Sequence, residues 1–218
     1  MKKISALLFN IFVICCSSIS AQTILNKTIS MMESEDGGII ADFSFENNTS
    51  SDLGIEDCFG QIKMKQNAFS INSADIKLWF NGKTLWSYIP DETVNEIYIS
   101  TPEPQDLEYL NPYLILKNRK TFSFVSEKAT QTNGKNSYLI ELKANKNKNE
   151  QSGFQLFSKV QITVSASTYL PEKVVLTNAE GEEMTISLSN GKKGQKLNIN
   201  DFTCPVKKYP EAEVIDMR

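Results

Sequence analysis

The segment Asn81-Gly82-Lys83-Thr84-Leu85-Trp86-Ser87-Tyr88, with Lys77-Leu78-Trp79-Phe80 before it, decides the fold class of this chain. Asn-Gly between two β-prone runs is the strongest short-range signal for a β-hairpin, because both residues tolerate the positive φ of a type I′ turn. One face of this hairpin carries several aromatic rings. Such rings usually belong to a hydrophobic core, but they can also line a ligand cavity.

The same alternation recurs along the chain from Gly37 onward. Ile39, Ala41, Phe43 and Phe45 occupy every second position, so they share one face of a strand. About ten or eleven short strands and the lack of a βαβ rhythm predict a mainly β (α+β) fold with an antiparallel, strongly curved sheet. Turn signals such as Asn133-Gly134, Glu180-Gly181 and Asn190-Gly191 separate several of the strand-like segments. The further strand-like segments are 60–65, 68–72, 95–99, 121–124, 137–142, 159–164, 173–176, 184–188 and 196–199.

Two segments have helical patterns. Residues 22–35 carry an apolar stripe at i, i+4 and i+7 that begins at Leu25. The second begins with the capping-box pattern Ser100-Thr101-Pro102-Glu103 and continues to Leu116, with a break at Asn111-Pro112. The two helices are expected to cover the apolar face of the sheet. Tight packing would give an ordinary core, and loose packing would give a lidded hydrophobic pocket.

The first residues have the features of a secretory signal peptide. Lys2 and Lys3 precede an apolar run over residues 4–16, and small residues at 17–21 provide a cleavage site. We therefore predict a signal peptide over residues 1–21 and export to the periplasm.

The remaining residues, 22–218, are predicted to form one domain. No second apolar run in them is long enough to cross a bilayer. An alternative is that Cys16 is the lipidated first residue of a lipoprotein, although Cys15 stands where a lipobox has Gly, Ala or Ser. Loss of the two signal lysines changes the net charge from −3 to −5. No basic patch is interleaved with aromatic residues, so nucleic acid is not an expected partner.

Two of the four cysteines, Cys58 and Cys204, remain after cleavage of the signal. In an oxidising compartment they could form a disulfide, which would close a loop of about 145 residues and contribute about 5 kcal/mol in the chain-entropy model. The alternative is two buried, unpaired thiols.

The residues that most catalytic mechanisms need are missing. The chain has no His, which excludes Ser-His-Asp hydrolysis and the usual zinc ligand sets. The carboxylates of Glu56, Asp57, Glu182 and Glu183 occur in polar, turn-like stretches, and no Gly-rich phosphate loop precedes a helix. We therefore expect no enzyme activity, no catalytic residue, no metal site and no cofactor.

Four motifs in order resemble the periplasmic outer-membrane lipoprotein carrier family, LolA, in its divergent Bacteroidetes-type form. They are Gly60-Gln61-Ile62-Lys63-Met64-Lys65 followed by Phe69, the segment 81–88, the Pro-rich step and helix over 102–116, and the ending 209–216. Segment 81–88 is similar to the family's Asp-Gly-Lys-Thr-Leu-Trp-x-Tyr and is the most specific match.

The resemblance implies an open, incomplete β-barrel with helical lids over a hydrophobic concave face. The implied function is a monomeric periplasmic carrier that shields the acyl chains of lipoproteins and delivers them to the outer membrane. Its implied partners are the acylated cargo, an inner-membrane exporter and an outer-membrane acceptor. Alternatives are a binding or sensor module for another lipid, envelope polymer or partner on the same fold and, with least support, an enzyme.

The expected pocket combines alternating strand residues with residues of a lid. By resemblance, Lys65 occupies the position of a basic residue that helps to hold the lid, and it would then point into the mouth of the pocket. The alternative places Lys65 in solvent on the convex face. The residues predicted to line the pocket are Phe43, Phe45, Ile62, Met64, Phe69, Ile71, Trp86, Tyr88, Leu107 and Leu110.

Overall fold

Twelve strands form one open sheet in the order β12-β6-β5-β4-β3-β2-β1-β11-β10-β9-β8-β7. The computed structural model describes residues 22–48, 57–90, 95–103, 107, 109–145 and 157–218, so the predicted signal peptide lies outside the described residues. The strands are β1 (Gly38–Asn48), β2 (Cys58–Lys65), β3 (Ala68–Ser73), β4 (Lys77–Phe80), β5 (Leu85–Pro90), β6 (Asn95–Ser100), β7 (Phe122–Thr132), β8 (Lys135–Ala144), β9 (Lys159–Ser165), β10 (Pro171–Thr177), β11 (Glu183–Gln195) and β12 (Glu213–Asp216).

The sheet consists of two antiparallel meanders. Strands β1–β6 form one and β7–β11 form the other, and the antiparallel pairing of β1 with β11 joins them. The predicted mainly β fold with an open sheet is confirmed. One pairing departs from the predicted antiparallel arrangement, because the C-terminal strand β12 pairs in parallel with β6.

The turn between β4 and β5 is not the predicted type I′ turn. Gly82 has a φ of 95°, but Asn81 is not among the residues with positive φ. Instead the Asn81 side-chain oxygen accepts hydrogen bonds from the backbone N–H groups of Lys83 and Thr84, at 3.0 and 2.9 Å. An Asx turn therefore closes a four-residue connection, a well-known alternative for Asn. The other Asn-Gly pair, Asn133-Gly134, does have φ values of 52° and 74°, as a type I′ turn requires.

Strand β11 runs through a predicted turn. Asn190 has a φ of 53°, yet the strand continues to Gln195. The pairing of β1 with β11 shifts register in this region, so Asn190 lies in an irregularity within one long strand. The predicted strand over 196–199 is also wrong. Its last residue begins a 3₁₀ turn (Ile199–Phe202), followed by a second 3₁₀ turn (Val206–Lys208).

The first predicted helix is confirmed. Of the second, residues 104–106 and 108 lie outside the described residues, and the α-helix that is described is short. Helix α1 spans Thr23–Glu33 and buries Leu25, Thr28 and Met32. Helix α2 spans only Pro112–Lys117. It begins where Asn111 accepts a hydrogen bond from the Tyr113 N–H at 3.0 Å and Pro112 occupies the first turn. Ser100, where the predicted cap begins, is instead the last residue of β6.

The two faces of the sheet are buried by different parts of the chain. The inner face packs against α1, α2 and Leu107 and forms the main hydrophobic core. Residues 197–212, which we call the C-terminal segment, cover the outer face of β4–β6. In this segment Cys204, Val206 and Tyr209 pack on Ile97 and Ile99. Among the described helices, none has the length and apolar character needed to cross a membrane.

Candidate functional site

An apolar cavity lies between the inner face of the sheet and the segment that precedes α2. Its volume is about 50 Å³. Strands β1–β4 and β11 supply most of its wall, and Tyr109 and Leu110 close it from the helical side. The lining residues are Phe43, Phe45, Cys58, Ile62, Ile71, Ile76, Leu78, Tyr109, Leu110 and Ile186.

Half of the residues predicted to line a pocket lie in this wall. They are Phe43, Phe45, Ile62, Ile71 and Leu110. Register explains why the strand residues meet: Ile62 lies opposite Ile71 in the β2–β3 pair, and partners across a ladder share one face of the sheet.

Three other predicted residues are buried on the inner side but do not line the cavity. Met64 and Phe69 are register partners in β2 and β3, and each is 0% exposed. Leu107 is also part of the main core. These three residues fill the core beside the cavity.

The prediction that Trp86 and Tyr88 line the pocket is wrong. Trp86 is the register partner of Trp79, whereas the neighbouring pairs Leu78–Ser87 and Phe80–Leu85 point the opposite way. Trp86 and Tyr88 pack with Ile97, Ile99 and Cys204 on the outer face. Both faces of this hairpin are apolar because the C-terminal segment buries the second face.

Sequence reasoning missed five residues of the cavity wall, of which two occupy alternating apolar positions of predicted strands and could have been found from that pattern. Leu78 lies opposite Ile71, and Ile186 lies opposite Phe45. The remaining three belong to a strand start and two connections, where periodicity carries no signal. They are Cys58, Ile76 and Tyr109.

Lys65 lies on the outer face, away from the cavity mouth. Its Nζ donates a hydrogen bond to the Leu197 carbonyl at 3.2 Å, and the neighbouring Lys63 forms an ion pair with Asp201 at 3.1 Å. Both lysines thus fasten the C-terminal segment to β2. The expectation that Lys65 holds the lid is wrong because α1 and α2 cover the other face. The alternative, a solvated Lys65 on the convex face, is right in placing it away from the lid, but the side chain also contacts Leu197.

Cys58 and Cys204 are free thiols in the structure, so the predicted disulfide is not formed. Cys58 is the register partner of Phe45 on the inner face, whereas Cys204 belongs to the outer-face cluster. The sheet therefore separates the two sulfur atoms. Burial raises the pKa of Cys204 to about 11. Burial, with Asp75 and Asp57 nearby, also raises the pKa of Cys58.

The helices over the inner face are held by a few polar contacts. The Glu127 carboxylate, on β7, accepts hydrogen bonds from the Ile24 and Leu25 N–H groups at the N-terminus of α1, at 3.0 and 3.1 Å. Gln22 precedes this helix and makes no side-chain cap. Glu127 therefore caps the N-terminus of α1, although it lies about a hundred residues away in the sequence.

A second set of contacts joins α1 to α2. Glu33, the last residue of α1, accepts hydrogen bonds from the Tyr113 hydroxyl at 2.9 Å and from the Lys117 ammonium. The Lys117 hydrogen bond is the main cause that holds the pKa of Glu33 below its usual value, and Glu33 in turn raises the pKa of Lys117. The buried Asn111 amide donates to the Gln66 carbonyl at 2.9 Å and so attaches the start of α2 to the β2–β3 turn.

The wall of the cavity offers almost no polar chemistry. Apart from the Cys58 thiol and the Tyr109 ring, every lining side chain is a hydrocarbon. In the part of the chain that the structure describes, no three acidic, His or Cys side chains converge as a metal site would require. The cavity is therefore suited to apolar ligand groups.

The solved structures similar to this chain come from distant proteins. An uncharacterized conserved protein from Thermus thermophilus is 11% identical, with a TM-score of 0.57 over 89% of this chain and 98% of that chain. A LolA superfamily protein from Nitrosomonas europaea is 13% identical, with a TM-score of 0.44 over 87% and 100% of the two chains. The lipoprotein LppX from Mycobacterium tuberculosis is 10% identical, with a TM-score of 0.47 over 83% and 100%.

The sequence itself identifies the family. No curated protein matches the chain significantly. The family described as outer membrane lipoprotein carrier protein LolA matches residues 13–181, which is most of the chain. The likeness to the Thermus structure independently supports the open-sheet fold. The chain belongs to the LolA outer membrane lipoprotein carrier family.

Proposed function

We propose that this protein binds the acyl chains of lipoproteins between its sheet and its helices and carries them through the periplasm to the outer membrane. The observation that supports the proposal most directly is the hydrocarbon-lined cavity under the segment before α2. Membership of a carrier family supports the same function, and family members are binding proteins and not enzymes. An inner-membrane exporter and an outer-membrane acceptor would be the partners.

The size of the cavity indicates what binding must involve. An engineered cavity of about 150 Å³ holds one benzene molecule, whereas the cavity of this protein measures about 50 Å³. An acyl chain therefore does not fit unless the helical side moves away from the sheet. Each methylene that leaves water contributes about 0.8 kcal/mol, so a long chain can offset the apolar packing that opening disrupts.

The contacts of the helices are compatible with such an opening. The described polar contacts include those of Glu127, Asn111 and the Glu33–Tyr113–Lys117 group. In the last group the Lys117 side chain is exposed and the Glu33 side chain is partly exposed. Breaking exposed polar contacts costs little because water replaces the protein partner. We expect α1 and α2 to move together, since Glu33 joins them.

The two free thiols provide a test without any engineered label. Cys58 lines the cavity and Cys204 is buried on the opposite face. A triacylated peptide should slow the alkylation of Cys58 by a small maleimide. The alkylation is measured by mass spectrometry of proteolytic fragments of the protein. Alkylation of Cys204 should not change and provides the internal control.

Equal alkylation rates of Cys58 with and without the acylated peptide would count against the proposal. A slowing of both thiols to the same degree would indicate general stabilisation of the fold and not occupation of the cavity. Delivery is tested separately, by transfer of the bound peptide to outer-membrane vesicles, and fails if the peptide stays on the protein.

A further inference from the structure

The two sides of the sheet carry opposite charge. Residues 22–118, which contain α1, β1–β6 and α2, have 6 Lys and Arg and 15 Asp and Glu. Residues 119–197, which contain β7–β11, have 12 Lys and Arg and 7 Asp and Glu. Among the described residues alone, the first range has 6 Lys and Arg against 9 Asp and Glu, and the second has 10 against 6. The strand order places these charges on opposite sides of the β1–β11 pair. A protein with a negative net charge therefore has one distinctly basic side.

Four exposed cations come together where β7 begins. Lys143 and Lys159 are direct register partners in the β8–β9 pair. Two like charges directly opposite each other on neighbouring strands are normally destabilising. The Asn145 amide donates hydrogen bonds to the carbonyls of Arg119 and Lys120, at 3.1 and 2.8 Å, and so holds the turn before β7 against the end of β8. We call Arg119, Lys120, Lys143 and Lys159 the basic corner.

Among the described residues, no acidic side chain pairs with these cations in a salt bridge. The carboxylate nearest along the strands is Glu141, which accepts hydrogen bonds from Ser126 at 2.6 Å and Gln161 at 2.9 Å. The Ser126 hydrogen bond contributes most to the lowered pKa of Glu141, and Lys159 contributes further. Because Glu141 is already hydrogen-bonded, the described residues leave the basic corner with an excess of positive charge.

An exposed apolar residue lies beside the basic corner. Val125 is 55% exposed and is the additional residue of a bulge in β7. It lies two positions after Ser123, and Ser123 is the register partner of Lys143. The bulge and the charged residues Glu127 and Lys128 are typical devices that prevent a further strand from pairing with a sheet edge. Addition of a peptide strand to β7 is therefore disfavoured, and the corner is better suited to a broad surface.

We propose that the basic corner and Val125 form a docking surface for an anionic phospholipid bilayer. Lysine and arginine near such a surface are attracted to the lipid phosphates, and an exposed aliphatic side chain can enter the headgroup region. The acidic side of the sheet would face away from the bilayer, so the charge division orients the protein. This inference concerns a surface outside the cavity and does not depend on the proposed function.

Sedimentation of the mature protein with vesicles tests the proposal. Vesicles of equimolar phosphatidylglycerol and phosphatidylcholine should bind the protein, and vesicles of phosphatidylcholine alone should not. The double variant Lys143→Gln and Lys159→Gln should bind about 25-fold more weakly, since each cation near an anionic membrane raises the partition constant about 5-fold. Binding should also be lost when salt is raised from about 0.1 M to about 0.5 M.

The matched control is the double variant Lys192→Gln and Lys193→Gln, which removes the same charge from two exposed lysines near the far end of β11. The proposal is overturned if the wild type ignores phosphatidylglycerol, or if the control weakens binding as much as the corner variant. Val125→Asn should weaken vesicle binding several-fold and leave binding to polyglutamate unchanged. Unchanged vesicle binding of Val125→Asn, together with tight binding to polyglutamate, would show that the partner is an acidic polymer and not a lipid surface.

Discussion

At the residue scale, single polar groups decide how firmly α1 lies on the sheet. Glu127 caps the helix from β7, and no pattern within residues 22–35 reveals that partner. Thr28 has the opposite role, because it is 0% exposed and its hydroxyl has no hydrogen-bond partner among the described residues. One group therefore favours the closed position of the helix, and the other weakens its packing.

Replacement of Glu127 by Gln should loosen the N-terminus of α1 by about 1 kcal/mol, because an amide presents one acceptor oxygen and no charge to the two N–H groups. Hydrogen exchange of the Ile24 and Leu25 amides measures this directly. Glu183→Gln, at an exposed position of β11, is the control and should leave both amides unchanged. Equal protection of the two amides in Glu127→Gln would show that this cap has no energetic role.

Replacement of Thr28 by Val should raise the free energy of unfolding by about 1 kcal/mol. Valine keeps the shape and removes a buried hydroxyl that has lost its hydration without gaining a partner. Urea unfolding of the two proteins gives the difference. A loss of stability would mean that the hydroxyl is in fact hydrogen-bonded in solution.

At the scale of elements, the sequence predicted regular strands well and connections poorly. Helical periodicity identified α1 and period-two alternation identified most strands, since burial of one face leaves a periodic pattern in the sequence. The Asx turn at Asn81 and the long β11 escaped prediction because each depends on local hydrogen bonds or register that composition does not encode. Trp86 was assigned to the wrong face because its hairpin is apolar on both sides, and only the position of the C-terminal segment distinguishes them.

The joint between α1 and α2 should respond to pH through Glu33. Its pKa is lowered by Lys117 and Tyr113, so its stabilising effect is present above the unfolded pKa of about 4.3 and is lost as pH falls through the lower folded value. The side chains of Lys117 and Glu33 are 57% and 36% exposed, so the effect should not exceed about 1 kcal/mol. The stability difference between wild type and Glu33→Gln should be measurable at neutral pH and vanish in acid. A difference that grows in acid would contradict the assignment.

At the scale of the whole molecule, the described residues leave little room for an acyl chain. The cavity of about 50 Å³ is a small part of the space that an acyl chain needs, and the helices that close it are held by few polar contacts. The basic corner lies beside β8 and β9, whereas the cavity lies against β1–β4 and β11. Membrane contact and acyl binding can therefore be changed independently. The proposed function depends on entry of acyl chains into this cavity.

Native mass spectrometry of the protein mixed with a triacylated peptide tests that claim most directly. Wild type should form a one-to-one complex, and Leu110→Trp should lose it because the indole fills the cavity from the helical side. Leu114→Trp is the matched control, since Leu114 packs on the main core without lining the cavity, and it should retain the complex. A complex that forms equally well with Leu110→Trp, or no complex with wild type, would contradict the account.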